Sequence, residues 1–165
     1  MSRKANTYQT HQPIVLFDGV CNLCNRFVLF VLSREKQSAF RFASLQSEIG
    51  HTLSGKPSGS KDTSFLGSII LIEDNRRYKK STAVLRILRN LKFFWPAMYV
   101  FILVPPPLRN LVYDYVGNRR YQWFGKMQYC WVPTDAIMSR FIDNVSDLSS
   151  TELTNIVARL KEQGI

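Results

Sequence analysis

Apolar positions follow two different periods along this chain. Ile14 to Phe17 is an unbroken β-branched and aromatic run of strand length, closed by Asp18-Gly19. From Cys21 to Leu32 the apolar residues Phe27, Val28, Leu29, Phe30, Val31 and Leu32 continue too far for a strand, so a tight turn leads the first strand into a first helix. Phe40 to Ala43 predicts a second short strand. The stretch from Ser54 to Ser64, with Gly55, Pro57, Gly59 and the serines Ser58 and Ser60, predicts an exposed loop. Ser68 to Glu73 is an apolar strand, Asp74-Asn75 a turn and Arg76 to Lys79 an edge strand. Thr82 to Leu91 spaces Val84, Leu85, Leu88 and Leu91 along one helix face. The predicted order is βαβ then ββα, an α/β core over about residues 13–92.

The second half is mostly helical. Trp95 to Val104 and Leu108 to Val116 carry helical patterns separated by Pro105-Pro106-Pro107, residues that cannot sit inside a helix. Phe93 to Val104 is the strongest apolar stretch, but it contains Pro96, stops at Pro105 and falls well short of the ~20 residues a membrane span needs. It is expected to be a buried helix, the alternative being a surface-associated one. Near the end, Ser149-Ser150-Thr151-Glu152 has capping-box spacing, and Leu153, Ile156, Val157 and Leu160 form one apolar stripe, as in a docking helix. The chain therefore divides into a flexible segment over residues 1–12, a main domain over 13–134 and a C-terminal helical extension over 135–165.

Composition narrows the class. The 165 residues are 45% apolar and 13% aromatic, enough for a core and unlike a disordered or fibrous chain. Three cysteines exclude the disulfide framework of a small secreted module. Arg3 and Lys4 are followed by no apolar run before a cleavage site, so no secretory signal is expected and the reading is cytoplasmic. Lys and Arg number 22 against 12 Asp and Glu, a formal charge of +10. The excess concentrates in Arg76-Arg77-Tyr78-Lys79-Lys80 and in Arg119-Arg120-Tyr121 beside Trp123 and Phe124, a mixture able to bind phosphates and stack bases. Such residues more often form a solvated face, and no nucleic-acid fold signature is present. A basic module for phosphate-rich partners, with structural or zinc-binding cysteines, is thus the alternative class, and nucleic acid is a disfavoured partner.

The richest chemistry lies in Asp18-Gly19-Val20-Cys21-Asn22-Leu23-Cys24, at the junction of the first strand and helix. Two cysteines three apart in a first helical turn face the same side and can close a small disulfide ring. Cys21 would meet unpaired backbone N–H groups and the positive end of the helix dipole, which stabilise a thiolate, so it is the expected nucleophile. Cys24, one turn deeper, is the expected resolving thiol. Asp18 is either a turn residue or the acceptor of the Cys24 proton, and its charge would oppose ionisation of Cys21. A zinc site needs four ligands, and the other candidates, Cys130, His11 and His51, contain no second close pair.

The motif resembles the DCC family of predicted thiol-disulfide oxidoreductases, named for the Asp and two Cys of D-G-x-C-x-x-C. The likeness extends from Phe17 to Asn25, through the strand Ser68 to Ile72 and Lys80-Ser81-Thr82-Ala83 opening a helix, to the block Asn118 to Lys126, followed by Cys130 and Pro133. It covers roughly residues 13–134. The resemblance implies a thioredoxin-like core with a C-terminal helical addition and disulfide exchange at Cys21 and Cys24. Gly19, Asn22, Ser68, Arg119, Trp123 and Cys130 are the expected support or groove residues, with Cys130 either packed as a small apolar residue or acting as a nearby thiol. The implied substrate is a protein or small-molecule disulfide or thiol, with no metal or organic cofactor; the electron donor is not legible. Contact with a membrane surface is open but has no support in the pattern. Thioredoxin-like enzymes usually hold a cis-proline just before the third strand, and here that place is Leu66-Gly67-Ser68. Val15 to Val20 also resembles the first motif of haloacid-dehalogenase phosphatases, but Leu16 stands where those enzymes need a nucleophilic Asp.

Overall fold

A computed structural model describes residues 12–37, 39–55, 68–74, 76–126, 138–142, 154–158 and 160. Strand β1 (Ile14–Phe17) leads into helix α1 (Asn22–Arg34), then β2 (Arg41–Ser44), α2 (Glu48–Ser54), β3 (Ile70–Glu73), β4 (Arg76–Lys79) and α3 (Lys80–Arg89). A 3-10 helix (Trp95–Leu103) and the long α4 (Pro106–Phe124) follow. The strands form one mixed sheet in the order β2-β1-β3-β4. β1 and β2 are parallel, with Val15 beside Phe42, while β3 runs antiparallel to both β1 and β4.

β1 and β3 are buried along their whole length because both faces of the sheet are covered, which explains runs without polar alternation. Val15, Phe17, Phe42 and Leu71 face α1 and α3, meeting Cys24, Val28, Val31 and Ile87. Ile14, Leu16, Ala43, Ile70 and Ile72 face the other way, against Ile49 and Leu53 of α2 and against Ile142, Ile156 and Leu160. Residues 154–158 are helical, and the stripe residues Ile156 and Leu160 are buried there. The C-terminal part of the chain thus completes the second layer.

It also covers the β2 edge. Phe42 N–H donates to the Arg140 carbonyl at 2.9 Å, and Ile142 N–H donates to the Phe42 carbonyl at 2.9 Å. The Arg140 guanidinium pairs with both carboxylate oxygens of buried Glu35, at 2.7 and 3.0 Å, and donates to the Phe40 carbonyl. A parallel edge with unpaired N–H groups is thereby occupied.

Several sequence expectations are corrected. Helix α1 starts one residue later than the pattern predicts and places Cys21 at its N-cap. β2 lies one residue further along, and α3 begins earlier, at Lys80. Ser54 ends helix α2 rather than opening a loop; residues 56–64 of that expected loop lie outside the described residues. The stretch Phe93 to Val104 is not a buried helix: Phe93, ahead of the 3-10 turns, is 80% exposed, and within them Val100 is 60% and Leu103 80% exposed. α4 runs past Val116 to Phe124, and Pro106 opens it because the first turn needs no N–H from those positions. The segment 1–11, Leu66-Gly67, Cys130, Pro133, the capping box 149–152 and Leu153 lie outside the described residues. Among the described residues no helix is long and apolar enough to cross a membrane.

Candidate active site

The carboxyl end of β1 delivers Asp18 and the turn that follows it to the start of α1. Cys21 N–H donates to the Asp18 carbonyl at 3.2 Å, and Asn25 N–H donates to the Cys21 carbonyl at 3.0 Å, which starts the helix. Both thiols are free; Cys21 is wholly buried and Cys24 is 5% exposed.

The two sulfurs are chemically unequal. The Cys21 thiol is lowered to about 6, first because the Cys24 side chain donates a hydrogen bond to it and further because the backbone N–H groups of Cys24 and Leu23 point at it. Burial and the Asp18 charge oppose this. The Cys24 thiol is pushed up, first by that same hydrogen bond, then by burial and by the negative charges of Cys21 and Asp18. Orphan N–H groups of a helix start are thus spent on one sulfur, and its neighbour keeps the proton.

Asp18 is held from all sides. Its Oδ1 accepts from Val20 N–H at 3.2 Å and from Gln46 Nε2 at 2.9 Å, and its Oδ2 accepts from the Tyr121 hydroxyl. Arg120 Nη2 stands 3.6 Å from Oδ2. The Tyr121 phenol is raised to about 12 by burial and by its bond to the carboxylate. Gly19 is fixed at both ends of its peptide: its N–H donates to Gln46 Oε1 at 3.0 Å, and its carbonyl accepts from Asn25 Nδ2 at 2.9 Å.

Helix α4 closes the site. Asn22 Nδ2 donates to the Phe124 carbonyl at 2.8 Å, and Lys126 faces Cys21 across an antiparallel backbone bridge. Just before β3, where the sequence lacks the expected proline, Ile69 N–H donates to the Tyr113 hydroxyl at 2.9 Å. Among the described residues no peptide bond is cis. An apolar cavity of about 260 Å³ lies beside Cys24, lined by Leu23, Phe27, Val84, Tyr113, Val116 and Arg120 among others.

Of the residues singled out in the sequence, Asp18, Gly19, Cys21, Asn22 and Cys24 come together. Ser68 is half-buried beside Ile69, at the entry to β3. Arg119 and Trp123 do not join them: the Arg119 guanidinium lies 4.8 Å from the Tyr115 ring centre, on the outer face of α4, and Trp123 packs edge-on against that ring. Gln46 and Tyr113 were missed, and Arg120 and Tyr121 stood out in the sequence only as members of the basic cluster and of the family-like block Asn118 to Lys126. Helical spacing holds the signal for three of them, since Tyr113, Gly117, Arg120 and Tyr121 recur at intervals of three and four on the inward face.

Two cations of the basic stretch Arg76 to Lys80 have partners within the fold. Arg77 Nε donates to the Leu53 carbonyl at 2.8 Å, and Lys80 pairs with Asp114 at 2.8 Å. Arg86 lies 3.8 Å from the Tyr78 ring centre while pairing with Glu73 at 2.6 Å. Among the described residues no three His, Cys, Asp or Glu side chains are grouped to hold a metal.

The family model and one relative name the same family. A profile described as DCC1-like thiol-disulfide oxidoreductase matches residues 15–126. A Bacillus subtilis protein called YuxK, described as uncharacterized, is 42% identical over 137 residues, covering 81% of this chain and 96% of the relative. An Arabidopsis thaliana DCC family protein, described as chloroplastic, is 39% identical over 120 residues, covering 72% of this chain and 69% of the relative. No solved structure matches.

Proposed function

Because the chain belongs to the DCC1-like thiol-disulfide oxidoreductase family, we propose that it exchanges disulfides through Cys21 and Cys24 on a thioredoxin-like core. The observation that carries this reading is the opposite displacement of the two thiols, Cys21 down to about 6 and Cys24 upward. A thiolate near neutral pH attacks, while its protonated neighbour waits.

The Cys21 thiolate attacks one sulfur of a substrate disulfide. A Cys21–substrate bond forms, the substrate S–S bond breaks, and the second substrate sulfur leaves as a thiolate. Loss of the negative charge on Cys21 removes the largest of the influences that held the Cys24 proton. Cys24 gives that proton to the departing thiolate, attacks the Cys21 sulfur, and closes the internal disulfide as the reduced substrate leaves. The reverse sequence oxidises a dithiol. Asp18 serves as a positioning charge, since both of its oxygens already accept hydrogen bonds. The apolar lining beside Cys24 favours a substrate with an apolar flank.

Redox buffers combined with alkylation and peptide mass mapping test the reading. Cys21 and Cys24 are expected to interconvert as a pair at a potential between roughly −270 and −120 mV. Cys24→Ser is expected to trap a mixed disulfide on Cys21, and Cys21→Ser to trap none. A pair that never oxidises across that range overturns the proposal.

A further inference from the structure

Helix α4 turns most of its polar contacts inward. On that face, beside Val116, which lines the cavity next to Cys24, Asn110 accepts from Ser81 Oγ, Asp114 pairs with Lys80, Tyr113 caps Ile69, and Arg120 and Tyr121 reach Asp18. Its outward face carries Leu108, Leu111, Val112 and Tyr115 at successive helical spacings of three, one and three, and these are 60%, 69%, 65% and 52% exposed. The neighbouring 3-10 helix adds Phe101 at 49% and Leu103 at 80%, with Phe93 and Phe94 just before it. An amphipathic element normally turns this stripe toward the core. A contiguous exposed patch of this kind marks an interaction surface.

Two further features identify the partner. The patch is flanked by cations: from Lys92 to Lys126 the chain carries Lys92, Arg109, Arg119 and Lys126, besides Arg120 on the inward face, against Asp114 alone, and Asp114 is paired with Lys80. Arg89 lies 5.2 Å from the Tyr99 ring centre and Arg119 lies 6.0 Å from that of Trp123, so basic groups stand beside aromatic rings. This is the composition of a membrane interface, with aromatics at headgroup level and Lys or Arg above them. Second, an apolar cavity of about 510 Å³ lies between α3, the 3-10 helix and α4, bordered by the exposed side chains of Phe101, Leu108 and Val112. Arg109 lines it, with Nε and Nη1 buried and without a hydrogen-bond partner. A guanidinium left this way costs free energy unless an anion meets it.

We propose that the outer face of the 3-10 helix and α4 seats on an anionic phospholipid bilayer, with an acyl chain entering the cavity and Arg109 meeting the lipid's anionic head. The protein lies on the membrane rather than across it. The same helix holds Arg120 and Tyr121 against Asp18, and the cavity proposed for the acyl chain shares Val84, Val112 and Tyr113 with the one beside Cys24. The inference is independent of the redox chemistry.

Vesicle flotation with the full chain tests it, using phosphatidylcholine vesicles with and without phosphatidylglycerol, with tryptophan emission as a second readout. The wild type is expected to float only with the anionic vesicles and to shift its emission to the blue. Leu103→Asp combined with Leu111→Asp, both at exposed positions, should lower partitioning by roughly tenfold or more. Circular dichroism and an unchanged redox potential show that the variant is folded. Arg109→Gln should weaken the preference for anionic vesicles. Three results overturn the proposal: no flotation at low salt, equal flotation of the double variant, which would reduce the effect to net charge, or a wild-type dimer that the double variant dissolves without vesicle binding.

Discussion

The Tyr121 hydroxyl donates to Asp18 Oδ2 across 103 residues of sequence, tying the last turns of α4 to the junction where the dithiol begins. The carboxylate opposes ionisation of Cys21, and Tyr121, together with Arg120 at 3.6 Å, offsets part of its field. Tyr121→Phe therefore raises the Cys21 pKa above about 6. It also costs about 1–3 kcal/mol of stability, because a buried acceptor loses a donor. Asp18→Asn shifts the pKa the other way, by deleting the charge. The pH dependence of Cys21 alkylation in both variants measures this, and shifts of the same sign would exclude the field as the cause.

The hydrogen bond from Cys24 is the largest influence on Cys21, so Cys24→Ala should move the nucleophile most. In the wild type, alkylation of Cys21 is expected to rise with pH through about 6 and to level off above it, because the reactive species is the thiolate. Cys24→Ala moves this midpoint upward, toward the ordinary thiol range, so the rate near pH 7 falls while the plateau at high pH is retained. A midpoint left near 6 would assign the lowered pKa to the backbone amides of Leu23 and Cys24 alone.

The alternation of elements and the cysteine pair were legible because they are local. Ile14 to Phe17 and Ser68 to Glu73 read as buried strands, and the turn at Asp18-Gly19 announces the start of α1. What escaped depends on distant partners. Helix α2 is seven residues long with a glycine in its middle, too short for periodicity and contrary to propensity. Gln46 acts only because Ser44 and the turn after β2 bring it to Asp18. On α4, adjacent residues had opposite fates: Arg119 was named for the site, but the helix turns it to Tyr115, and Arg120 faces Asp18. The apolar stretch before α4 read as core because hydrophobicity alone does not say which side of a helix is covered.

Gly50 tests the missed helix. A methyl group there would lie 2.0 Å from the Ser44 carbonyl oxygen, a backbone atom at the end of β2. Alanine favours helix over glycine by roughly 1 kcal/mol, yet Gly50→Ala is expected to destabilise the protein by more than that, because strand and helix must move apart. Urea denaturation reads the sign. A more stable Gly50→Ala would mean that α2 does not pack against the end of β2 as described.

Gly125 ends α4 with φ 73° and ψ 175°, a combination reached almost only by glycine. That turn sets Lys126 opposite Cys21 and leaves the Phe124 carbonyl to Asn22. Space is not the constraint, since an added methyl would find Asn22 Nδ2 at 3.5 Å, an ordinary contact. The strain of Gly125→Ala is therefore in the backbone, about 1–3 kcal/mol, and should loosen the segment bridged to the backbone of wholly buried Cys21. The expected result is faster alkylation of Cys21 on the high-pH plateau with an unchanged midpoint, because the hydrogen-bond donors to its sulfur belong to α1. An unchanged plateau rate would show that the Gly125-Lys126 segment is not what limits access to the nucleophile.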